Sequence, residues 1–91
     1  MGKKRDRLGV IYDILNIIKE NKNSIRPTRL LRYSNLSSER FLDYQKELIE
    51  KQFIREVIDK NEKKSYTLCD RGFKFLERYK TIREFIKDFD L

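Results

Sequence analysis

The first apolar segment of the chain has the spacing of an α-helix. Its main apolar positions recur at intervals of three, four and three residues: Leu8, Ile11, Leu15 and Ile18. This period predicts a helix over residues 8–20, and Asp6 is placed to cap it. A second apolar stripe consists of Val10, Ile14 and Ile17. A helix on the outside of a small monomer needs one stripe, so this helix is either central to the domain or contacts another subunit.

Two shorter helices follow, separated by a tight turn. Pro27 suits the start of a helix and Thr28 is placed to cap it, which predicts a helix over residues 28–34. Ser37 or Ser38 begins a third helix that runs to about Lys51. Its predicted core positions are Phe41, Leu42, Leu48 and Ile49. Two short helices joined in this way indicate a helix-turn-helix motif.

The apolar period then changes to that of β-structure. Residues 53–58 are rich in branched side chains and residues 65–68 alternate, so we expect a hairpin with a charged loop over residues 59–64. Ile25 is a further candidate strand residue. A hairpin directly after a helix-turn-helix is the wing of a winged-helix domain. The fold class is therefore α+β, mostly α, with a two-stranded wing.

The last segment predicts a long C-terminal helix over residues 70–88. Its apolar positions are spaced four, three, four and three, as in a coiled-coil seam: Phe75, Tyr79, Ile82, Ile86 and Phe89. We expect the far end of this helix to pair with a second copy, because few partners remain within the chain. The alternative is that it folds back along the first helix. The predicted homodimer interface comprises Val10, Ile14, Ile17, Phe75, Tyr79, Ile82, Phe85, Ile86 and Phe89.

These elements predict one domain over residues 1–91. It divides into a basic arm over residues 1–6, the helix-turn-helix and wing over residues 7–68, and a dimerisation helix over residues 69–91.

The net charge of +7 is concentrated in the first third of the chain. Residues 1–35 carry a net charge of +6, whereas the remaining residues carry +1. This excess favours an acidic partner, with nucleic acid first and an anionic membrane surface second. The alternative interpretation is an ordinary solvated surface.

The composition argues against catalysis and against a metal site. The chain has no histidine and one cysteine, Cys69, so it lacks the usual acid–base catalyst and the usual zinc ligands. No glycine-rich phosphate loop is present, and no apolar run approaches the length of a membrane span. We expect a non-enzyme with no cofactor, no metal and no membrane contact, located in the cytoplasm with the nucleoid. Cys69 is read as a small residue at a helix start, with a redox sensor as the alternative.

Three segments resemble one protein family. They are Asn35-Leu36-Ser37, Leu48-Ile49-Glu50-Lys51, and Tyr66-Thr67-Leu68-Cys69-Asp70-Arg71-Gly72. They are similar to motifs of the small archaeal winged-helix proteins that dimerise through a C-terminal helix and bind DNA, some as chromatin proteins and some as regulators. The sequence departs from the family at Gln52, where glycine is usual, at Gln45, where leucine is usual, and at Cys69, where threonine is usual.

Docking of a helix-turn-helix places the start of its second helix in the major groove of double-stranded DNA. The predicted base-reading residues are Ser37, Ser38, Glu39, Arg40 and Asp43. Arg40 suits guanine, which accepts a bidentate guanidinium, although it could instead pair with Asp43. Because phosphates repel carboxylates, Glu39 and Asp43 either accept hydrogen bonds from cytosine amines, hold Arg40, or face away.

The predicted phosphate contacts lie on three separate elements. They are Lys3, Lys4 and Arg5 of the arm, Arg26, Thr28, Arg29 and Arg32 around the first helix of the motif, and Lys60, Lys63 and Lys64 of the wing. We therefore expect a dimeric DNA-binding protein that acts as a transcriptional regulator or a nucleoid protein. The alternatives are a winged helix that binds another protein and a module that binds RNA.

Overall fold

The computed structural model describes residues 6–91, and the predicted arm residues Lys3, Lys4 and Arg5 lie outside this range. The described elements are α1 (Arg7–Glu20), α2 (Pro27–Ser34), α3 (Ser38–Glu50), β1 (Ile54–Ile58), β2 (Lys64–Leu68) and α4 (Asp70–Asp88). The predicted winged helix-turn-helix fold, mostly α with a two-stranded wing and a long C-terminal helix, is confirmed.

Helix α1 lies at the centre of the fold. Asp6 caps it as predicted, since its Oδ1 accepts a hydrogen bond from the Gly9 N–H at 2.7 Å. α2, β2 and α4 all pack against it. Its buried side chains are Val10, Ile11, Ile14, Leu15 and Ile18.

This central position corrects part of the predicted dimer interface. Val10 and Ile14 are only 2% and 1% exposed in the single chain, so their assignment to a dimer face is wrong. Ile17 is half-buried and packs against the same core. The physical reason is that elements on more than one side of α1 cover both apolar stripes. Leu8, in contrast, lies outside the core because it belongs to the exposed first turn.

The helix-turn-helix starts one residue earlier than the sequence suggested. Arg26, with extended backbone, is the N-cap residue of α2 and Pro27 is its first residue, so Thr28 does not cap the helix. Proline suits this position because it has no N–H to leave unsatisfied. α2 ends at Asn35, which has a left-handed φ of 59°. Ser37 then caps α3, accepting a hydrogen bond from the Arg40 N–H at 3.2 Å.

The wing is anchored to the core at its inner end. β1 and β2 are antiparallel, with Ile54 opposite Leu68 and Ile58 opposite Lys64. Ile25 adds the predicted short strand as a single bridge to Tyr66, with N–H to O distances of 3.2 and 2.9 Å. The inner residues of the wing are buried, whereas its outer half extends into solvent.

The apolar side chains of helix α4 pack against the core along its first half, and farther along the helix the Arg83 guanidinium lies 5.2 Å from the centre of the Tyr12 ring of α1. Leu76 is buried, and Phe75 lies between the rings of Phe53 and Tyr79, each at a centroid distance of 5.6 Å. Tyr79 also contacts Tyr12 of α1 at 5.2 Å. The first half of α4 therefore folds back along α1, which was the alternative to pairing with a second copy. The second half exposes its apolar side chains: Ile82, Phe85, Ile86 and Phe89.

The turn between α3 and β1 explains how the chain accommodates Gln52. The Phe53 N–H donates to the Leu48 carbonyl at 2.9 Å and the Gln52 N–H donates to the Ile49 carbonyl at 3.0 Å, which is the Schellman pattern. Gln52 has a φ of 63°, in the left-handed region where a Cβ is unfavourable. Gln52 replaces the glycine that is usual in the family, yet α3 still ends in the left-handed cap that glycine normally forms.

We therefore predict that Gln52→Gly increases the free energy of unfolding by about 0.5–1 kcal/mol, because relief of backbone strain exceeds the added freedom of the unfolded chain. Chemical denaturation measures the change. Gln52→Ala, which keeps the Cβ, is the matched control and should give no gain. An equal gain in both variants would show that the glutamine side chain, not its backbone, is the source of strain.

Gly72 marks a close approach between α4 and the same turn. A Cβ at this position would lie 2.3 Å from the carbonyl oxygen of Phe53, which also accepts a hydrogen bond from the Cys69 N–H at 2.9 Å. Cys69 itself provides no side-chain cap for α4. The start of α4 is therefore positioned by backbone contact with residue 53.

Gly72→Ala should lower the free energy of unfolding by about 1–3 kcal/mol, because the backbone oxygen has to move. The same denaturation experiment measures this, with Lys80→Ala at an exposed position of α4 as the control. If Gly72→Ala were as stable as the control, the contact between α4 and the turn would not be tight.

Candidate nucleic-acid interface

Helix α3 presents its N-terminal half to solvent. Its inner side is held by buried Phe41 and Leu48 and by half-buried Tyr44 and Gln45. The predicted base-reading residues Ser37, Ser38, Glu39, Arg40 and Asp43 are all exposed.

The outward face of α3 is formed by Glu39, Leu42, Asp43 and Lys46, which are all exposed. Leu42 was predicted to face the core, but it is 49% exposed and that prediction is wrong. Phe41 and Leu48, seven residues apart, set the buried direction, and Leu42 lies about 100° from Phe41 around the helix. The sequence also predicts Lys46 on the outer side of this helix, but it was not included among the predicted base contacts, although it lies three residues from Asp43 and seven from Glu39.

Arg40 lies in a shallow depression beside α1. The depression is lined by Arg7, Arg40, Asp43, Tyr44 and Glu47. The Glu47 carboxylate is already neutralised, because it accepts hydrogen bonds from both terminal nitrogens of Arg7 and pairs with the Lys51 Nζ at 2.7 Å. Within residues 6–91 Arg40 forms no ion pair, with Asp43 or any other carboxylate. Its guanidinium is thus available to a ligand.

Two of the residues predicted to contact phosphates, Arg26 and Lys64, already have partners in the wing. The Arg26 Nη1 donates to the Lys64 carbonyl at 3.2 Å and to the Ser65 Oγ at 3.1 Å, and its Nη2 lies 3.7 Å from the Asp59 Oδ2. The Lys64 Nζ pairs with the Glu56 Oε2 at 3.3 Å. Both side chains remain partly exposed, but their contacts in the structure fix the wing beside α2.

Asp59 organises the tip of the wing. Its Oδ1 accepts hydrogen bonds from the Asn61 N–H at 2.8 Å and the Lys63 N–H at 2.9 Å. The Lys63 N–H is the largest cause that lowers the pKa of Asp59, and the Asn61 N–H and the charges of Arg26 and Lys63 act in the same direction. The carboxylate is therefore ionised at neutral pH. The charged loop is folded as a turn that presents Lys60 and Lys63 to solvent.

A second cationic surface lies on α2. Thr28, Arg29 and Arg32 are exposed, and the Arg29 guanidinium lies 6.0 Å from the centre of the Tyr33 ring. No carboxylate in the described part of the chain pairs with Arg29 or Arg32. The pair is spaced three residues apart on one helix, so both cations face the same side.

Gln45 connects α3 to the two strands of the wing. Its Nε2 donates to the Tyr66 Oη at 2.8 Å and to the Glu56 Oε2 at 3.3 Å. Burial is the main cause that raises the pKa of Tyr66, the charge of Glu56 adds to it, and the bond from Gln45 opposes it. Gln45 is half-buried, as expected for a glutamine at a usual leucine position. It replaces apolar packing with a polar contact that sets the wing against α3.

No helix among residues 6–91 has the length and hydropathy needed to cross a membrane.

Comparison with known proteins places this arrangement among winged helices. The structure is similar to that of Sso10a-2, a DNA-binding protein from Sulfolobus solfataricus, with a TM-score of 0.71 and 18% sequence identity over 94% of this chain and 90% of that one. No curated protein sequence matches the chain. The family model of the winged helix-turn-helix matches residues 4–87. The chain therefore belongs to the winged helix-turn-helix family.

Proposed function

We propose that this protein is a homodimer that binds double-stranded DNA, as a transcriptional regulator or a nucleoid protein. One observation carries the proposal: the start of α3 is exposed, and the elements packed with it in the same domain, α2 and the wing, present exposed cations of their own. A helix-turn-helix docks with α3 in the major groove and its flanking elements on the backbone. The DNA-binding protein Sso10a-2 has the same fold, which supports this use of the surface.

The roles of the side chains follow from this docking. We assign base contacts to Ser37, Ser38, Glu39, Arg40 and Asp43. We assign phosphate contacts to Thr28, Arg29, Arg32, Lys60 and Lys63, with Lys3, Lys4 and Arg5 as further candidates. Arg26 and Lys64 act mainly by holding the wing, because their side chains already have partners within the chain.

Replacing Arg29 and Arg32 by glutamine tests the phosphate contacts. Loss of two contacts should make the slope of log affinity against log salt less steep by about 1.8 for random duplex DNA. Fluorescence anisotropy over a series of salt concentrations gives this slope. Lys80→Gln with Lys87→Gln on α4 is the matched control, since it removes the same charge at a distance from α3. Equal slopes in the two double variants would contradict the assignment.

A protein-binding winged helix is the second candidate function. The observation that favours it is the outward face of α3, which carries two carboxylates and one ammonium group rather than an excess of cations. An unchanged DNA affinity after loss of Arg29 and Arg32 would support this candidate.

The dimer is proposed from the second half of α4. Phe85 and Phe89 contact each other at a centroid distance of 4.8 Å, yet they remain 54% and 65% exposed. A groove of about 540 Å³ lies beside the first half of the same helix, with an apolar lining of Leu8, Phe53, Phe75, Tyr79 and Ile82. A second copy related by a two-fold axis can place its exposed phenylalanines on this groove, and the first copy does the same in return.

Charge favours an antiparallel arrangement of the two α4 helices. The groove has a basic rim formed by Arg71, Lys74 and Arg78. The other end of the helix, residues 82–91, carries the acidic residues Glu84, Asp88 and Asp90 together with Arg83 and Lys87, for a net charge of −1. Antiparallel pairing brings the basic rim of one helix to this weakly acidic end of the other, whereas parallel pairing places the two basic rims side by side.

Phe85→Ala combined with Phe89→Ala should convert the dimer to a monomer without unfolding it, because both rings are exposed in the single chain. Light scattering after size-exclusion chromatography should give twice the 11.2 kDa chain mass for the unmodified protein and one chain mass for the variant. Phe73→Ala, at an exposed position in the first half of α4, is the control and should remain dimeric. A monomeric unmodified protein at all concentrations tested would contradict the dimer.

A further inference from the structure

The acidic residues around the proposed DNA-binding surface differ in their partners. Glu47 is held by Arg7 and Lys51, Glu56 by Lys64, and Asp59 by Arg26. Within the part of the chain that the structure describes, Glu50 and Glu62 form no ion pair, and neither do Glu39 and Asp43, which lie in the exposed first half of α3.

These two unpaired carboxylates lie on the surface that the proposed docking turns toward the bases. They are spaced four residues apart, so they project from the same side of α3. Leu42 beside them has no charge, and Lys46 lies about one helical turn beyond Asp43. The start of α3, residues 37–43, carries two carboxylates and one cation, Arg40, for a net charge of −1, whereas the proposed phosphate-binding cations lie outside it, on α2 and on the wing tip.

A carboxylate in the major groove has an unfavourable energy beside most sequences. It is repelled by the phosphates and it accepts hydrogen bonds but cannot donate them, so guanine and thymine oxygens give it no partner. A cytosine amine is a suitable donor and offsets the repulsion, and it suits a carboxylate better than the adenine amine, which lies beside the N7 acceptor of the same base. Glutamine and asparagine, which are neutral and nearly the same shape, would not be repelled in this way.

We infer that Glu39 and Asp43 are specificity-determining residues that weaken binding to random DNA and select sites with cytosine at the matching positions. This inference rests on the proposed DNA-binding function. It assigns the attraction to the cations of α2 and the wing, and the discrimination to the acidic start of α3. The protein then binds a defined class of sites despite its strong positive charge.

The test compares the double variant Glu39→Gln, Asp43→Asn with the unmodified full chain. Both are titrated into random duplex DNA by fluorescence anisotropy, and both are used to select from a pool of duplexes with randomised positions. Random-duplex affinity should rise about tenfold, at the low end of the discrimination expected for a good base contact. Enrichment of cytosine should be present for the unmodified protein and lost in the variant, with adenine accepted instead, as suits amide side chains.

Two controls separate the possible results. Glu77→Gln with Asp70→Asn on α4 makes the same change in net charge away from the start of α3, and it should change random-duplex affinity much less. Thermal unfolding by circular dichroism establishes that each variant is folded. An affinity gain no larger than that of the α4 variant, or no cytosine enrichment by the unmodified protein, would overturn the inference.

Failure of this inference is distinguishable from failure of the proposed function. If the unmodified protein binds DNA and the variant lacking Arg29 and Arg32 binds it more weakly, DNA binding stands whatever the acidic residues do. If the unmodified protein binds no DNA at low salt, both the function and the inference are wrong.

Discussion

The burial of α1 on more than one side is the constraint on which the rest of the structure depends. Its five buried side chains provide a common surface for α2, β2 and α4, so each of these elements is positioned relative to the same helix. Burial of one large aliphatic side chain contributes about 1.5–3 kcal/mol, and α1 supplies more buried side chains to the thin core than any other element does. This packing also positions the candidate nucleic-acid interface, because α2 carries the cations Arg29 and Arg32 and β2 is one of the two strands of the wing.

Polar side-chain contacts add further connections between elements whose apolar faces pack in the core. The Arg26 guanidinium joins the start of α2 to the wing, Gln45 joins the wing to α3, and Arg7 joins α1 to α3 through Glu47. Two of these contacts use the charged side chains of Arg26 and Arg7, which the net charge alone would count as part of a general positive surface. Exposed cations without an ion pair in the described part of the chain lie on α2 and on the wing tip, next to the helix-turn-helix, and their placement rather than the net charge favours a nucleic-acid partner.

Apolar spacing predicted the elements well because the helices and strands each follow their own period. The bounds of α1, α3 and α4 agree within about one residue, and the single bridge of Ile25 was anticipated. The same spacing did not tell which stripe of α1 faces inward, since Val10 and Ile14 are buried by elements distant in sequence. Leu42 shows the opposite error. Its position next to Phe41 suggested burial, but it lies about 100° from Phe41 around the helix and is exposed.

The candidate site was predicted less completely than the fold. Exposure of Arg40 and of Arg29 followed from their positions in the motif, but the engagement of Arg26 and Lys64 by the wing depends on contacts across about 40 residues or across the hairpin. No local pattern encodes such pairs. For the same reason, it became clear only once the neighbouring cations were located that Glu39 and Asp43 form no ion pair within residues 6–91.

The central claim is that this winged helix binds double-stranded DNA mainly through contacts with the DNA phosphate backbone. The most direct measurement is fluorescence anisotropy of a labelled random duplex titrated with the unmodified protein at several salt concentrations. The account predicts binding that weakens steeply with salt, with a slope of log affinity of about −0.9 for each phosphate engaged. Absence of binding at low salt, or an affinity that does not change with salt, would contradict it.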